Sequence, residues 1–176
     1  AKEGFKFKAE KEKAIKICYT ATQQYAGSFG ARKCLTLLDL CKEKQLSITT
    51  EKYISAEQVF KSFVNYKNIN KVYFKIIAVD FDTYEEWLKN RNYNSGYNEY
   101  LRTKFESVKP LRVWETNFKP DNDFNAHSTE VKIDALPLGH YILIASSDKE
   151  FKYLKETYQF SAINISNLAY ISKSTK

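Results

Sequence analysis

Few side chains in this sequence of 176 residues have the type and spacing to do chemistry. Glu85 and Glu86 are adjacent, Asp121 and Asp123 flank one residue, His127 stands beside Ser128, and His140 follows Gly139. Asp121-x-Asp123 has the opening of an oxygen-ligand loop for Ca²⁺. The Gly and the bidentate Glu that such a loop needs do not follow in register. His127 and Ser128 on a strand project to opposite faces, so a Ser–His–Asp site would have to be assembled by tertiary contacts alone. His140 reads as a residue at the end of a hairpin. The sequence therefore predicts no catalytic residue, no cofactor and no metal site.

Cys18, Cys34 and Cys41 are an odd set. Cys34 and Cys41, seven apart on one predicted helix, share a face but lie two turns apart, too far to bond each other. Cys18, on the preceding helix, can meet either one. Small buried core residues are the first reading, and a single disulfide from Cys18 is the second. Zinc would need more ligands at closer spacing, and both histidines are distant in sequence.

The balance of 28 Lys+Arg against 21 Asp+Glu, a net +7, permits an anionic partner. The basic residues are interspersed with acids, however, and the densest group, near Lys11, reads as a solvated helix face. No nucleic-acid partner is expected. Hydrophobic content of 43%, with 15% aromatics, suits a packed core and argues against disorder. No apolar run reaches the length of a membrane span and no signal peptide precedes Ala1. The absence of any Met suggests a piece of a longer protein.

The elements that position these groups change period along the chain. From Ala9 to Tyr25, Ala14, Ile15, Cys18, Tyr19, Thr22 and Tyr25 recur at helical spacing. Ala26-Gly27-Ser28 breaks that helix, with Ser28 an N-cap for a second from Phe29 to Lys44. Residues 1–45 thus form a helical hairpin, and one such pair cannot bury its own face. Leu46, Ile48 and Thr50 then alternate as a first strand. Phe60–Tyr66 is a second, its register left open because Phe63 and Val64 are out of step. Val72–Val79 is a strong third.

An insertion at about 81–108 interrupts the strands. One helix, capped by Asp82 or Thr83, carries Tyr84, Trp87 and Leu88; a loop follows over Asn92–Gly96, then a second helix over Tyr97–Phe105. Its aromatics (Phe81, Tyr84, Trp87, Tyr93, Tyr97, Tyr100, Phe105) pack on their own sheet. Alternatively, Tyr84, Trp87, Tyr93, Tyr97 and Tyr100 make an interaction surface.

Leu111–Thr116 alternates as a fourth strand, and Pro120–Asp123 is a turn cluster. The stretch His127–Ser147 reads as the organising hairpin. In it Val131, Ile133 and Ala135 alternate with Glu130, Lys132 and Asp134, and Leu136-Pro137-Leu138-Gly139 reverses the chain. Tyr141–Ala145 runs on as a continuous apolar strand. Thr157–Ile165 closes the set, and after Ser166-Asn167, Leu168–Ile171 begins a further strand. Residues 167–176 are read as the start of a following domain or a linker.

The order GARKCLTLLDLCKEKQLSITTEKYISAEQVFKSFVNYKNINKVYFKIIAVD, KPLRVWETNF, HSTEVKIDALPLGHYILIASS and NISNLAYIS resembles the N-terminal part of bacterial alpha-2-macroglobulin-family proteins, over roughly Gly30 to Ser172. The most specific pieces are Tyr66-Lys67-Asn68 before Val72-Tyr73-Phe74, Leu136-Pro137-Leu138-Gly139 with Tyr141, and Ser166-Asn167-Leu168-Ala169-Tyr170. The resemblance implies a helical segment leading into a seven-stranded antiparallel macroglobulin-like β-sandwich, here residues 46–166. It also implies a non-catalytic scaffold role in a protease-trapping protein of the cell envelope (periplasm or surface lipoprotein). The partners would be neighbouring macroglobulin-like domains of the same parent chain and the proteases that the parent traps.

The family's Cys-x-x-Gln thioester is missing, since Cys18, Cys34 and Cys41 are followed at the third position by Ala21, Leu37 and Lys44. No bait region can be assigned. The competing expectation is a cell-surface binding or adhesion sandwich that recognises carbohydrate or protein, its sugar faces stacked on exposed rings of the insertion.

Overall fold

A computed structural model describes residues 2–89, 97–119, 123–152 and 157–168, with side chains placed throughout except at 2–10, 97 and 98. Two helices come first, α1 (Lys2–Gln24) and α2 (Phe29–Lys42). Ser28 caps α2 as its sequence suggests, its Oγ accepting a hydrogen bond from the Ala31 amide at 3.1 Å. Gly27, at φ +83°, takes the left-handed turn between them. α1 begins earlier than its apolar periodicity, at Lys2 rather than Ala9.

The far end of α2 is tied to the β structure. Carbonyls of its last turn would be orphaned. Lys67 Nζ donates to Leu40 O at 2.8 Å, and Asn68 Nδ2 donates to Cys41 O and Glu43 O at 2.7 and 2.8 Å. On α1, Lys11 Nζ donates to Phe124 O at 2.6 Å and to Asn125 Oδ1 at 2.9 Å. Ile15, Cys18, Leu38 and Cys41 pack between the helices, with Cys34 and Phe124 against them.

Among the described residues eight strands follow: β1 (Gln45–Thr50), β2 (Tyr53–Ile54), β3 (Phe60–Lys67), β4 (Lys71–Ala78), β5 (Arg112–Asn117), β6 (Ala126–Ile133), β7 (Gly139–Ser146) and β8 (Tyr158–Ile165). They form two sheets, β1-β3-β6 and β2-β8-β7-β4-β5. The fold is a two-sheet β-sandwich preceded by a helical hairpin. Between β4 and β5 it carries a helical insertion of α3 (Phe81–Lys89) and α4 (Tyr97–Glu106). The count of eight, against seven expected, comes from the first strand. It breaks at Glu51-Lys52, and its continuation β2 crosses to pair with β8, parallel where the other described pairings are antiparallel.

The core between the sheets takes alternate residues from each strand. Phe60, Val64 and Tyr66 of β3 and Val131 and Ile133 of β6 come from one side. Val72, Phe74 and Ile76 of β4, Tyr141, Leu143 and Ala145 of β7, and Ile163 and Ile165 of β8 come from the other. This settles the register of β3: Ser62, Val64 and Tyr66 point inward, and Phe63 points to solvent. On β5, Trp114 stacks on Phe74 at 5.2 Å between centroids, while Val113, and Leu111 just before the strand, are exposed.

The stretch expected to be the organising hairpin is not a hairpin. β6 pairs with β3 in the three-stranded sheet, and β7 pairs with β4 and β8 in the five-stranded sheet. Leu136-Pro137-Leu138 therefore carries the chain across the sandwich. The two strands differ in what they must bury. β6 alternates, as a strand at a sheet edge with one wet face does, whereas β7 is apolar on both faces and lies in the interior of its sheet. Tyr141 locks this crossing. Its hydroxyl donates to Pro137 O at 3.1 Å, the bond known in sandwich folds as a tyrosine corner.

Candidate interaction surface

The helical insertion covers the outer face of the five-stranded sheet. Asp80, rather than Asp82 or Thr83, starts α3, its Oδ2 accepting from the amides of Asp82 at 3.1 Å and Thr83 at 3.3 Å. Tyr84, Leu101 and Phe105 then reach down onto Ile77, Ile142, Ile144 and Tyr158. Phe105 meets Phe160 edge-on at 5.1 Å, and Trp87 tilts against Phe105 at 6.1 Å.

Of the aromatics singled out in the sequence, Tyr84 is buried beneath α3, 4.8 Å from the His140 ring. Trp87 and Tyr100 are half-buried in the same cluster. Tyr93 and the Tyr97 side chain lie outside the described residues. The structure thus brings Tyr84, Trp87 and Tyr100 together as packing against the sheet.

A different set of apolar residues faces solvent. α2 is tied to the turn after β3, so the strands run away from the helical hairpin along β4, and Val79, Asp80 and Phe81 lie at the opposite end of the sandwich. Gly139 and Ile165 pair at that same end. There a groove of about 740 Å³ opens between Tyr53, Phe81, Leu138, His140, Asn164 and Leu168. Four of these are large and exposed: Tyr53 at 74%, Phe81 at 53%, Leu138 at 61% and Leu168 at 90%.

Sequence reasoning missed this surface because its residues come from four separated segments, each bland alone. Leu138 carried a signal. A turn residue between Pro137 and Gly139 has no core to fill, and an apolar one there is informative.

Of the groups weighed for chemistry, Asp123 and His127 meet, while Ser128, His140 and the Glu85–Glu86 pair lie apart from them. His127 Nε2 lies 2.9 Å from Asp123 Oδ1, and Asp123 also accepts from the Asn125 amide at 2.9 Å and from Asn125 Nδ2 at 3.0 Å. Burial alone would raise the Asp123 carboxyl. The hydrogen bonds from His127 and Asn125 outweigh it and hold the pKa at about 2. These bonds shape the loop that receives Lys11. Asp121 lies outside the described residues.

Ser128 turns away from His127, its Oγ donating to Asn65 Oδ1 at 2.6 Å. His140, at the groove end, is held below its usual pKa by burial, against the opposing pull of the Val79 backbone and of Asp80 and Glu85. Among the described residues, no group of three or more His, Cys, Asp and Glu is arranged to hold a metal ion. None of their helices is long and apolar enough to cross a membrane.

One buried cation went unnoticed in the sequence. Lys75, in the middle of β4, faces the helical layer, with Nζ 4.4 Å from the centre of the Phe151 ring. Burial lowers its pKa, with Glu106 opposing and Arg102 adding to the shift. A lysine inside the run Val72-Tyr73-Phe74-Lys75-Ile76-Ile77 is itself the sign that this face is covered and carries a compensating ring or charge.

No protein family's sequence profile matches this chain, and no curated protein does. Solved structures share its general shape. The CARDB domain of a Pyrococcus furiosus protein, crystallised in complex with di-metal ions, is 8% identical with a TM-score of 0.39, over 70% of this chain and 88% of that one. The fragment of Escherichia coli alpha-2-macroglobulin spanning domains NIE-MG1 is 13% identical with a TM-score of 0.38, over 69% of this chain and 61% of that one. A superoxide reductase from Ignicoccus hospitalis is 10% identical with a TM-score of 0.32, over 76% and 85%. These likenesses are of coarse fold alone.

Proposed function

We propose that this chain is a non-catalytic interaction module in a larger envelope protein of alpha-2-macroglobulin type. In this reading residues 46–166 are a macroglobulin-like sandwich, residues 1–45 its helical appendage, and residues 167–176 the passage to a neighbouring sandwich. The observation that carries it is the cluster of exposed Tyr53, Phe81, Leu138 and Leu168 around one groove. Apolar side chains gathered at the end of a sandwich suit burial against another domain. The sequence resemblance supplies the kind of assembly: neighbouring macroglobulin-like domains of one parent chain, acting together to trap proteases.

Carbohydrate recognition by the insertion is less well supported. Its Tyr84 and Phe105 rings are buried against their own sheet instead of standing free for a sugar face.

The test is size-exclusion chromatography with light scattering on the longer protein, with and without a broad-specificity protease. Single-site cleavage, compaction and retention of the protease support the reading. In that protein Leu138→Glu should block compaction while leaving the thermal unfolding of the isolated chain unchanged. A longer protein that neither compacts nor retains protease overturns it.

A further inference from the structure

Two edges bound the five-stranded sheet, the two-residue β2 and the six-residue β5. The backbone of β5 is used on one side alone. Phe118 N donates to Asn70 O at 2.7 Å, and this pair continues the register that joins β4 to β5, Lys71 opposite Asn117 and Ile76 opposite Arg112. In an antiparallel ladder the residues that exchange backbone bonds alternate with those that do not. Arg112, Trp114 and Thr116 therefore turn their N–H and C=O groups to β4. Val113, Glu115 and Asn117, all exposed, turn theirs away from the sheet, and among the described residues these groups meet no partner.

Little blunts this edge. Its register runs without a bulge, no Pro lies between Arg112 and Asn117, and its outward-facing charge, Glu115, is matched by Lys71 at 2.7 Å. β6, an edge of the other sheet, instead turns Glu130 and Lys132 to solvent. Exposed apolar groups accompany the free backbone of β5, with Val113 on the outer face and Leu111 just before the strand. Such an edge is a template for one more strand. Charge selects which strand. Lys109 and Lys119 stand exposed at the two ends. A second copy of β5 fits poorly there: pairing Val113 with Glu115 of the other copy sets Lys109 opposite Lys119, and centring on Glu115 sets two glutamates opposite each other.

We propose that β5 is a strand-addition edge, which takes an extended segment of another polypeptide that is β-branched in its middle and acidic at both ends. Carbonyls of the added strand accept from the amides of Val113, Glu115 and Asn117, and its own amides donate to their carbonyls. On the outer face its side chains lie beside Val113. On the inner face they cover the open rim of Trp114, whose ring is only half-buried on Phe74. Its acids reach Lys109 and Lys119. No residue of β5 lines the groove at the end of the sandwich, so this edge can succeed or fail independently of the proposed assembly.

The probe is a blocked peptide of alternating Thr and Val with two Asp at each end, added to the full chain and followed by amide hydrogen exchange. Exchange should slow about fivefold or more at Val113, Glu115 and Asn117, and change little at Arg112, Trp114 and Thr116, which are already bonded to β4. Val113→Pro removes an outward N–H that the ladder does not use, a place where an edge strand tolerates proline. It should weaken binding about fivefold or more, whereas Val113→Thr keeps the N–H and should bind as the parent does. The same peptide N-methylated at alternate residues should not bind, which tests the edge without altering the protein. Slowing that is even along β5 or absent, or equal binding of the N-methylated peptide, would overturn the edge. Equal affinity for a peptide with Lys in place of Asp would overturn the choice of an acidic partner. So would a dimer of the free chain, seen by light scattering and abolished by Val113→Pro, since the occupant would then be a second copy.

Discussion

The two sheets of this sandwich face different surroundings. The three-stranded sheet has one face in the core and one in water, and β3 shows it by burying every second residue. The five-stranded sheet is enclosed on both sides: every residue of β7 after Gly139 is buried, half against the opposite sheet and half against α3 and α4. The insertion between β4 and β5 is therefore a structural layer. Without it, Ile77, Ile142, Ile144 and Tyr158 would face solvent, a patch that a lone sandwich cannot leave open.

That contrast predicts very different sensitivities to the same substitution. Phe105→Ala removes a wholly buried ring wedged between helical layer and sheet, and should cost about 3–5 kcal/mol by urea denaturation. Phe63→Ala, on the solvent face of the three-stranded sheet, should change stability by no more than about 0.5 kcal/mol. Similar losses at the two sites would mean that both sheets are covered, and the distinction between them would fall.

Much of this difference was legible beforehand, and where it was not, the reason is physical. The uninterrupted Tyr141–Ala145 run announces a strand buried on both faces, and the alternation over Glu130–Ala135 announces one wet face. What the pattern cannot say is which strands pair. Two strands joined by a short Pro-Gly link look like a hairpin, yet a link of that length also spans from sheet to sheet when the two patterns differ. The difference between them was the clue.

Helix positions were legible because Gly27-Ser28 and Asp80 punctuate them, although Asp80 lay one residue outside the predicted insertion. The aromatics of the insertion left two readings open, packing on their own sheet or an interaction surface, and Tyr84, Trp87 and Tyr100 take the first. Rings at helical spacing in an insertion reveal that they pack on something, not that they are free. The exposed apolar groove needed residues 53, 81, 138 and 168 in one place, a purely tertiary coincidence.

The crossing from one sheet to the other offers the next test. Gly139 has φ +155°, and a Cβ there would lie 3.2–3.3 Å from three atoms of the Tyr141 side chain. Tyr141 cannot retreat, because its hydroxyl is anchored on Pro137 O. Gly139→Ala should therefore destabilise by about 1–3 kcal/mol. Tyr141→Phe loses only the anchor and should cost about 1 kcal/mol. Combined, the two should cost less than their sum, since the unanchored ring can yield to the new methyl group. Strict additivity would show that ring and glycine do not meet.

The finest distinction is electrostatic, and one group on each side of the sandwich reports it. His140, on β7 of the five-stranded sheet and packed under α3, has a folded-state pKa below its unfolded value because burial disfavours its charge. As pH falls through about 6.5 the unfolded chain takes up the proton first, so stability present above that pH begins to decline. Asp123, which shapes the loop leading into β6, is depressed to about 2. Its contribution is complete above its unfolded value of about 4 and is lost as pH falls from there towards 2.

Acidification should thus act in two stages, first at the groove end of the five-stranded sheet, then where Lys11 meets the Phe124–Asn125 loop. His140→Phe keeps a ring between Phe81 and Tyr84 and should flatten the decline between pH 7 and about pH 5 while leaving the lower one intact. Asp123→Asn should do the reverse. Stability measured by urea denaturation across pH for both variants separates the stages. A single decline removed by either substitution would mean that the two sheets respond to acid as one unit.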